Sequence, residues 1–130
     1  MISVRKIPHD KQRYETVGDW QFFKDNLVIK VSDTGSECSN NLIAVHEIIE
    51  ALLCKNNGVS EALVDEWDMS HPDSLDPGSI PGCPYYREHM FATMIERALA
   101  AELDVDWFEH EEAIEETLVQ FKHAEAIERL

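Results

Sequence analysis

The sequence predicts an α+β domain: a small antiparallel β-sheet of two or three strands, followed by three to four α-helices. Three observations carry that expectation. Leu27-Val-Ile-Lys-Val-Ser places Leu27, Ile29 and Val31 on one side at period two and is rich in β-branched residues, the pattern of a half-buried strand. From Leu42 onward the apolar residues recur at helical spacing instead. The chain of 130 residues, 44% apolar and 28% charged, is the size of one domain with its own core, so 1–130 is read as a single unit.

Taken in order, residues 13–32 are expected to form a β-hairpin region. Residues 13–23 carry β-branched and aromatic side chains around Gly18-Asp19, a turn signal, and the Leu27 strand follows Lys24-Asp25-Asn26. Residues 33–41 turn to Ser, Asn, Gly and Thr, a loop in which Ser39 or Asn40 can cap the next helix. That helix, 40–55, is stopped by Asn56-Asn57-Gly58, where Gly or Asn takes the left-handed conformation. Ser60-Glu61 opens a shorter helix to about Trp67. Residues 68–84 contain four of the five prolines and two of the five glycines and read as a long loop, a kind that in compact domains usually serves function. A second long helix is predicted over 85–103. A third, capped by Asp106, runs over 106–129 with Trp107, Ile114, Leu118 and Phe121 at helical intervals.

Charge narrows the function classes. Eleven Lys and Arg against 26 Asp and Glu give −15, and the pI is about 4.6. Direct nucleic-acid binding needs clustered cations, and so does a polybasic membrane contact; neither is expected here. No segment approaches the roughly 18 apolar residues of a membrane span. The charges at Arg5, Lys6 and Lys11 break the apolar run a signal peptide would need. Three cysteines, Cys38, Cys54 and Cys83, without CxxC spacing argue against a disulfide framework. The expectation is a reduced, cytoplasmic chain.

The most informative segment is His46-Glu47-Ile48-Ile49-Glu50. At about 100° per residue, with His46 at zero, Glu50 falls near 40°, Cys54 near 80° and Glu47 near 100°. The rest of the helix is apolar over more than half its circumference. Two ligands at i and i+4 can serve one ion, and a carboxylate next to the first can reach water on that ion as a general base. An amphipathic helix shows solvent a stripe of this width too, so the stripe alone leaves both readings open.

A second helix with a similar stripe favours the functional reading. His89, Thr93, Glu96 and Ala100 share one face, and the small residues allow a neighbouring helix to come close. His46, Glu50 and His89 would then form a two-His, one-carboxylate set with an open position. Glu96 is either a fourth metal ligand or an acceptor for the ring N–H of a ligand His. The donor set suits Zn²⁺, with Fe²⁺ or Mn²⁺ as alternatives. Cys54 and Cys83 are read as small buried residues or as partners of His46 or His89 in a structural zinc site. The acidic residues Asp65, Glu66, Asp68, Asp73 and Asp76 lack EF-hand spacing and read as a solvated loop. Glu109-His110-Glu111-Glu112 reads as the exposed face of the third helix.

The order of hairpin, loop and a helix bearing His-Glu-x-x resembles the minimal zincin core over roughly residues 13–57. Gly18-Asp19-Trp20, Val45 to Ala51 and Pro84 to His89 also look like small phage- and prophage-encoded proteins. Zincin metallopeptidases hold zinc with the two His of HExxH and use its Glu as base. The resemblance therefore implies that His46 is a ligand and Glu47 the catalytic base. The sequence departs from that pattern at Glu50, where the family has its second His, and at Leu53 and Asn56, which take the offsets of a longer HExxHxxGxxH motif. An anionic ligand in place of His makes the cation a weaker Lewis acid.

The leading expectation is thus a zincin-like metal-dependent hydrolase acting on a peptide or protein, or an inactive metal-binding relative of one. Residues 68–84 are expected to line its cleft. The alternative is a non-enzymatic acidic protein that binds a basic protein partner, as a nucleic-acid mimic would.

Overall fold

The computed structural model describes residues 1–128, with side chains described through Val119. Three strands, β1 (Ile2–Ile7), β2 (Gly18–Phe23) and β3 (Asn26–Ser32), precede four helices: α1 (Glu37–Asn57), α2 (Glu61–Met69), α3 (Tyr86–Glu102) and α4 (Trp107–Glu128). The α+β expectation holds.

The sheet departs from the expected antiparallel hairpin. Its order is β1-β3-β2, with β2 antiparallel to β3 and β1 parallel to it, so the sheet is mixed. β1 is the strand that the charges of Arg5 and Lys6 concealed. It sits at an edge with its side chains exposed up to Lys6, where cations on a sheet edge are well tolerated. The hairpin turn lies at Lys24-Asp25, with Lys24 in the left-handed region at φ 58°. Gly18-Asp19 instead opens β2. Gly18 is small for another reason: a Cβ there would come within 2.6 Å of the Glu47 side chain on α1. The glycine marks a close strand–helix approach, not a turn.

Central β3 supplies the core. Leu27, Ile29 and Val31 are at most 2% exposed and pack with Trp20 of β2 and Ile43, Ala51 and Cys54 of α1. The cap of α1 falls earlier than expected: the Ser36 hydroxyl accepts from Ser39 N at 3.2 Å. Ser39 and Asn40 are drawn into other bonds. Asn40 Oδ1 accepts from the Thr34 backbone and hydroxyl at 3.0 and 2.7 Å. Gly58 closes α1 at φ 74°, as the Asn-Asn-Gly signal predicts. α2 is capped by Ser60 and extends two residues past Trp67. The Asp106 carboxylate caps α4 by accepting from Glu109 N at 3.0 Å.

Helices α1 and α3 pack against each other, and Ala51, Ala92 and Ala100 on them are each at most 1% exposed. Small residues bring the two axes together, and this places the polar stripe of one helix against that of the other. On α4, Leu118 is buried, with Trp107 and Ile114 half-buried; Phe121 lies outside the described side chains. Among the described residues no helix is long and apolar enough to cross a membrane.

Candidate metal centre

The polar stripe of α1 faces inward. His46, Glu50 and Cys54 are buried while Leu52 on the apolar arc is 45% exposed. The solvated-face reading of the HExxE helix is therefore set aside: the stripe is the wall of an internal site. The ring centroids of His46 and His89 are 4.7 Å apart. Glu50 Oε2 lies 3.0 Å from His46 Nε2 and 2.8 Å from His89 Nδ1, and the two ring nitrogens are 3.2 Å apart. Among the described residues, His46, Glu50 and His89 form a group able to hold one metal ion.

Those three separations fit a cation. Zinc bonds of about 2.0–2.1 Å in a tetrahedral set put ligand atoms roughly 3.3 Å apart. The observed triangle is slightly tighter, as expected where two N–H groups converge on one carboxylate oxygen.

The outer edge of each imidazole is backed by a further carboxylate. His46 Nδ1–H donates to Glu96 Oε1 at 2.8 Å, and His89 Nε2 lies 2.8 Å from Asp76 Oδ1. For His46 this fixes the outer nitrogen as the N–H and leaves the inner nitrogen as the one with a lone pair for a metal. Glu96 thus stands behind the His46 ring, on the side away from the triad. Of the two roles expected for it, the geometry matches the acceptor and not the fourth ligand. Trp20 Nε1–H donates to the second Glu50 oxygen at 3.1 Å, so Glu50 presents Oε2 inward.

Glu47 is half-buried on the wall of a cavity of about 340 Å³ that also reaches the triad. Its carboxylate takes no hydrogen bond from a described residue. Burial, then the nearby Glu50 charge, holds its pKa well above the usual carboxylate range. The cavity walls include Leu75, Asp76, Pro77 and Gly78, so the 68–84 loop does line the cleft, and neither Lys nor Arg is among its lining residues. Such walls favour a positive guest.

In the metal-free chain the charges are tightly coupled. Burial would lower the His46 pKa, but its bonds to Glu50 and Glu96 raise it well above the ordinary value. His89 likewise goes up to about 9 against its burial, through Asp76 and Glu50. Glu50 is driven down by the two imidazoles despite its burial. Burial pushes Asp68 up to about 6, although it accepts from the Tyr85 and Tyr14 hydroxyls.

Several participants were not legible beforehand. Asp76 belongs to the acidic loop read as solvated, and Asp65 and Asp68 of that cluster are also engaged: Asp65 by Arg13 and Asp68 by two tyrosines. His110 was read as part of an exposed face but is 1% exposed. The signal that locates it is its position on the Trp107-Ile114-Leu118 stripe. Its Nε2–H donates to Glu96, and its Nδ1 pairs with the Ser39 hydroxyl at 2.9 Å. Hydroxyl, imidazole and carboxylate in this order occur in nucleophilic hydrolases, yet Ser39 is 3% exposed and lies off the cavity wall. Cys54 and Cys83 are free, buried thiols outside the triad, with Cys83 pushed up to about 11 by burial.

Gly78 covers His89. A Cβ on Gly78 would lie 2.5 Å from His89 Cγ and 2.6 Å from Nδ1. The ring is pinned by Glu50 and Asp76 and cannot give way cheaply. Gly78→Ala is expected to cost roughly 1–3 kcal/mol, read as a lower midpoint in denaturant, with the affinity for any cation held there reduced as well. An unchanged midpoint and affinity would show that the turn above His89 moves freely.

Comparison of the chain with protein-family models, with curated proteins and with solved structures found no match in any of the three.

Proposed function

We propose that this chain is a metal-dependent hydrolase of zincin type acting on peptides, with His46, Glu50 and His89 as ligands and Glu47 as general base. The observation that supports the reading is the convergence of three donor atoms within 3.2 Å of one another, each imidazole backed by its own carboxylate. Two His and one carboxylate are the ligand composition of catalytic zinc sites that leave a position open. The departure from HExxH therefore changes the order of ligands along the chain more than their kind: the second His comes from α3 in place of α1. A cation held there would polarise a carbonyl and lower the pKa of water toward neutrality.

The remaining roles belong to side chains. Glu47 is one residue beyond a ligand, on the cavity wall, with a carboxylate free to accept a proton from water and return it to a leaving amine. Glu96 and Asp76 hold the ligand rings against rotation. The cavity volume is within the range of small-ligand sites and accommodates a short stretch of peptide, and its acidic walls favour basic side chains.

Elemental analysis and peptide-library digestion of untagged protein test this. One zinc per chain is expected in the wild type and in Glu47→Gln, with none in His46→Ala or Glu50→Ala. Hydrolysis in Glu47→Gln should fall at least a hundredfold, the usual scale for a lost general base. A fully folded chain that takes up no metal, and whose binding to a basic protein collapses with added salt, would support the acidic partner-binding alternative.

A further inference from the structure

We infer that Glu96, His110 and Ser39 act as positioning residues for the metal ligand His46, and that they couple the docking of α4 to cation binding. This rests on the metal reading above and extends it to a helix that contributes no ligand.

The chain of contacts is continuous and buried. His46 Nδ1 bonds Glu96 Oε1 at 2.8 Å, Glu96 Oε2 bonds His110 Nε2, and His110 Nδ1 pairs with Ser39 Oγ at 2.9 Å. Exposures are 7%, 6%, 1% and 3% for His46, Glu96, His110 and Ser39. Both oxygens of Glu96 are occupied by imidazoles, so its carboxylate has one orientation. Without His110 the carboxylate can rotate, and the ring it steadies loses its fixed outer N–H. A buried carboxylate that loses one of two partners is also costly in itself.

The path crosses α1, α3 and α4. At the start of α4 Phe108 is 73% exposed, and the inward contacts besides His110 are Ile114 against the core, buried Thr117 and Leu118, and the Trp107 ring under Arg97. Among these contacts His110 is the one joined through Glu96 to His46. A cation that fixes His46 fixes Glu96 and so strengthens that hold; reciprocally, a well-docked α4 raises cation affinity.

Titration with Co²⁺ tests this, because its d–d absorption reports the ligand geometry. His110→Phe keeps the ring volume and removes both nitrogens; its Co²⁺ affinity is expected to fall about 10–100-fold, with an altered absorption band. His110→Gln, which can still donate to Glu96, should recover most of the affinity. Leu118→Ala loosens α4 without touching the chain of bonds and should stay within about twofold of wild type if the effect travels through His110. Co²⁺ should slow amide exchange at the start of α4 in wild type and not in His110→Phe. If His110→Phe does not fold, the comparison of His110→Gln and Ser39→Ala with wild type carries the test, with a several-fold loss expected for Ser39→Ala alone. Equal affinity in wild type and His110→Phe overturns the inference while leaving the metal site intact. So does an equal loss in Leu118→Ala, which would mean general packing. A wild type that binds no Co²⁺ overturns both the inference and the metal reading.

Discussion

EDTA is expected to lower the melting temperature of the zinc-saturated wild type by about 10–20 °C. A ligand at a thousand times its Kd stabilises the folded state by about 4 kcal/mol, and for a domain of this size each kcal/mol moves the midpoint by a few degrees. The effect should be large here because removing the cation leaves two imidazoles with ring nitrogens 3.2 Å apart facing one carboxylate oxygen. His89→Ala is the informative comparison. It leaves His46, Glu50 and Glu96 in contact but removes the ligand supplied by α3. That variant should melt near the EDTA-treated wild type and respond neither to zinc nor to chelator. Differential scanning calorimetry on the two proteins, each with and without EDTA, makes the measurement. A wild type indifferent to EDTA, or a His89→Ala variant that responds as fully as wild type, would remove the triad as a binding site.

How much of this was legible in the sequence follows from what periodicity can carry. The stripe at His46 and Glu50 and the stripe at His89 and Glu96 were each visible as faces, and the small residues Thr93 and Ala100 on the second face signalled a close neighbour. The direction of a face was not visible. A polar stripe normally looks outward, and here it looks inward because a cavity lies behind it. The same inversion hid His110: five acidic residues surround it between 109 and 116, so charge outvoted its place on the apolar stripe. Asp76 was hidden differently. It is exposed at its outer side, belongs to a loop, and meets His89 only through the path of the chain over Pro77 and Gly78, which no local pattern encodes. Parallel pairing of β1 with β3 likewise depends on a partner more than twenty residues away. Glycines proved to be sharper markers than expected: Gly18 and Gly78 each sit where a side chain of the site, Glu47 or His89, leaves no room for a Cβ.

Zinc affinity should rise steeply with pH between 6.5 and 8.5, while the metal-free chain becomes less stable as pH goes on rising. Both trends come from the same two imidazoles. In the metal-free chain the pKa of His46 is raised well above its ordinary value, against its burial, by Glu50 and Glu96, and that of His89 is raised to about 9 by Asp76 and Glu50. Each ring is therefore protonated through neutrality and must lose a proton before it can bind a metal. Two protons released per ion give a gain of up to about a hundredfold in affinity per pH unit, flattening near pH 9 where His89 loses its proton unaided. For the metal-free protein the sign is opposite. A folded-state pKa above the unfolded value of about 6.5 means that the folded state holds the proton more tightly. The stabilisation is then fully present below about 6.5 and is lost as pH rises through about 9, a difference on the order of 3 kcal/mol for His89. Below pH 5 the protonation of Glu96 and Asp76, whose carboxyls are held low by their imidazole partners despite burial, removes the same contacts from the other side. Metal-free protein should thus be most stable in mildly acidic to neutral solution, and zinc-loaded protein at higher pH. Chelator-competition titrations, with melting curves of the stripped protein from pH 5 to 9, measure both. A pH-independent zinc affinity would mean that the rings are already neutral in the metal-free chain, and the carboxylates behind them would then lack the role assigned here.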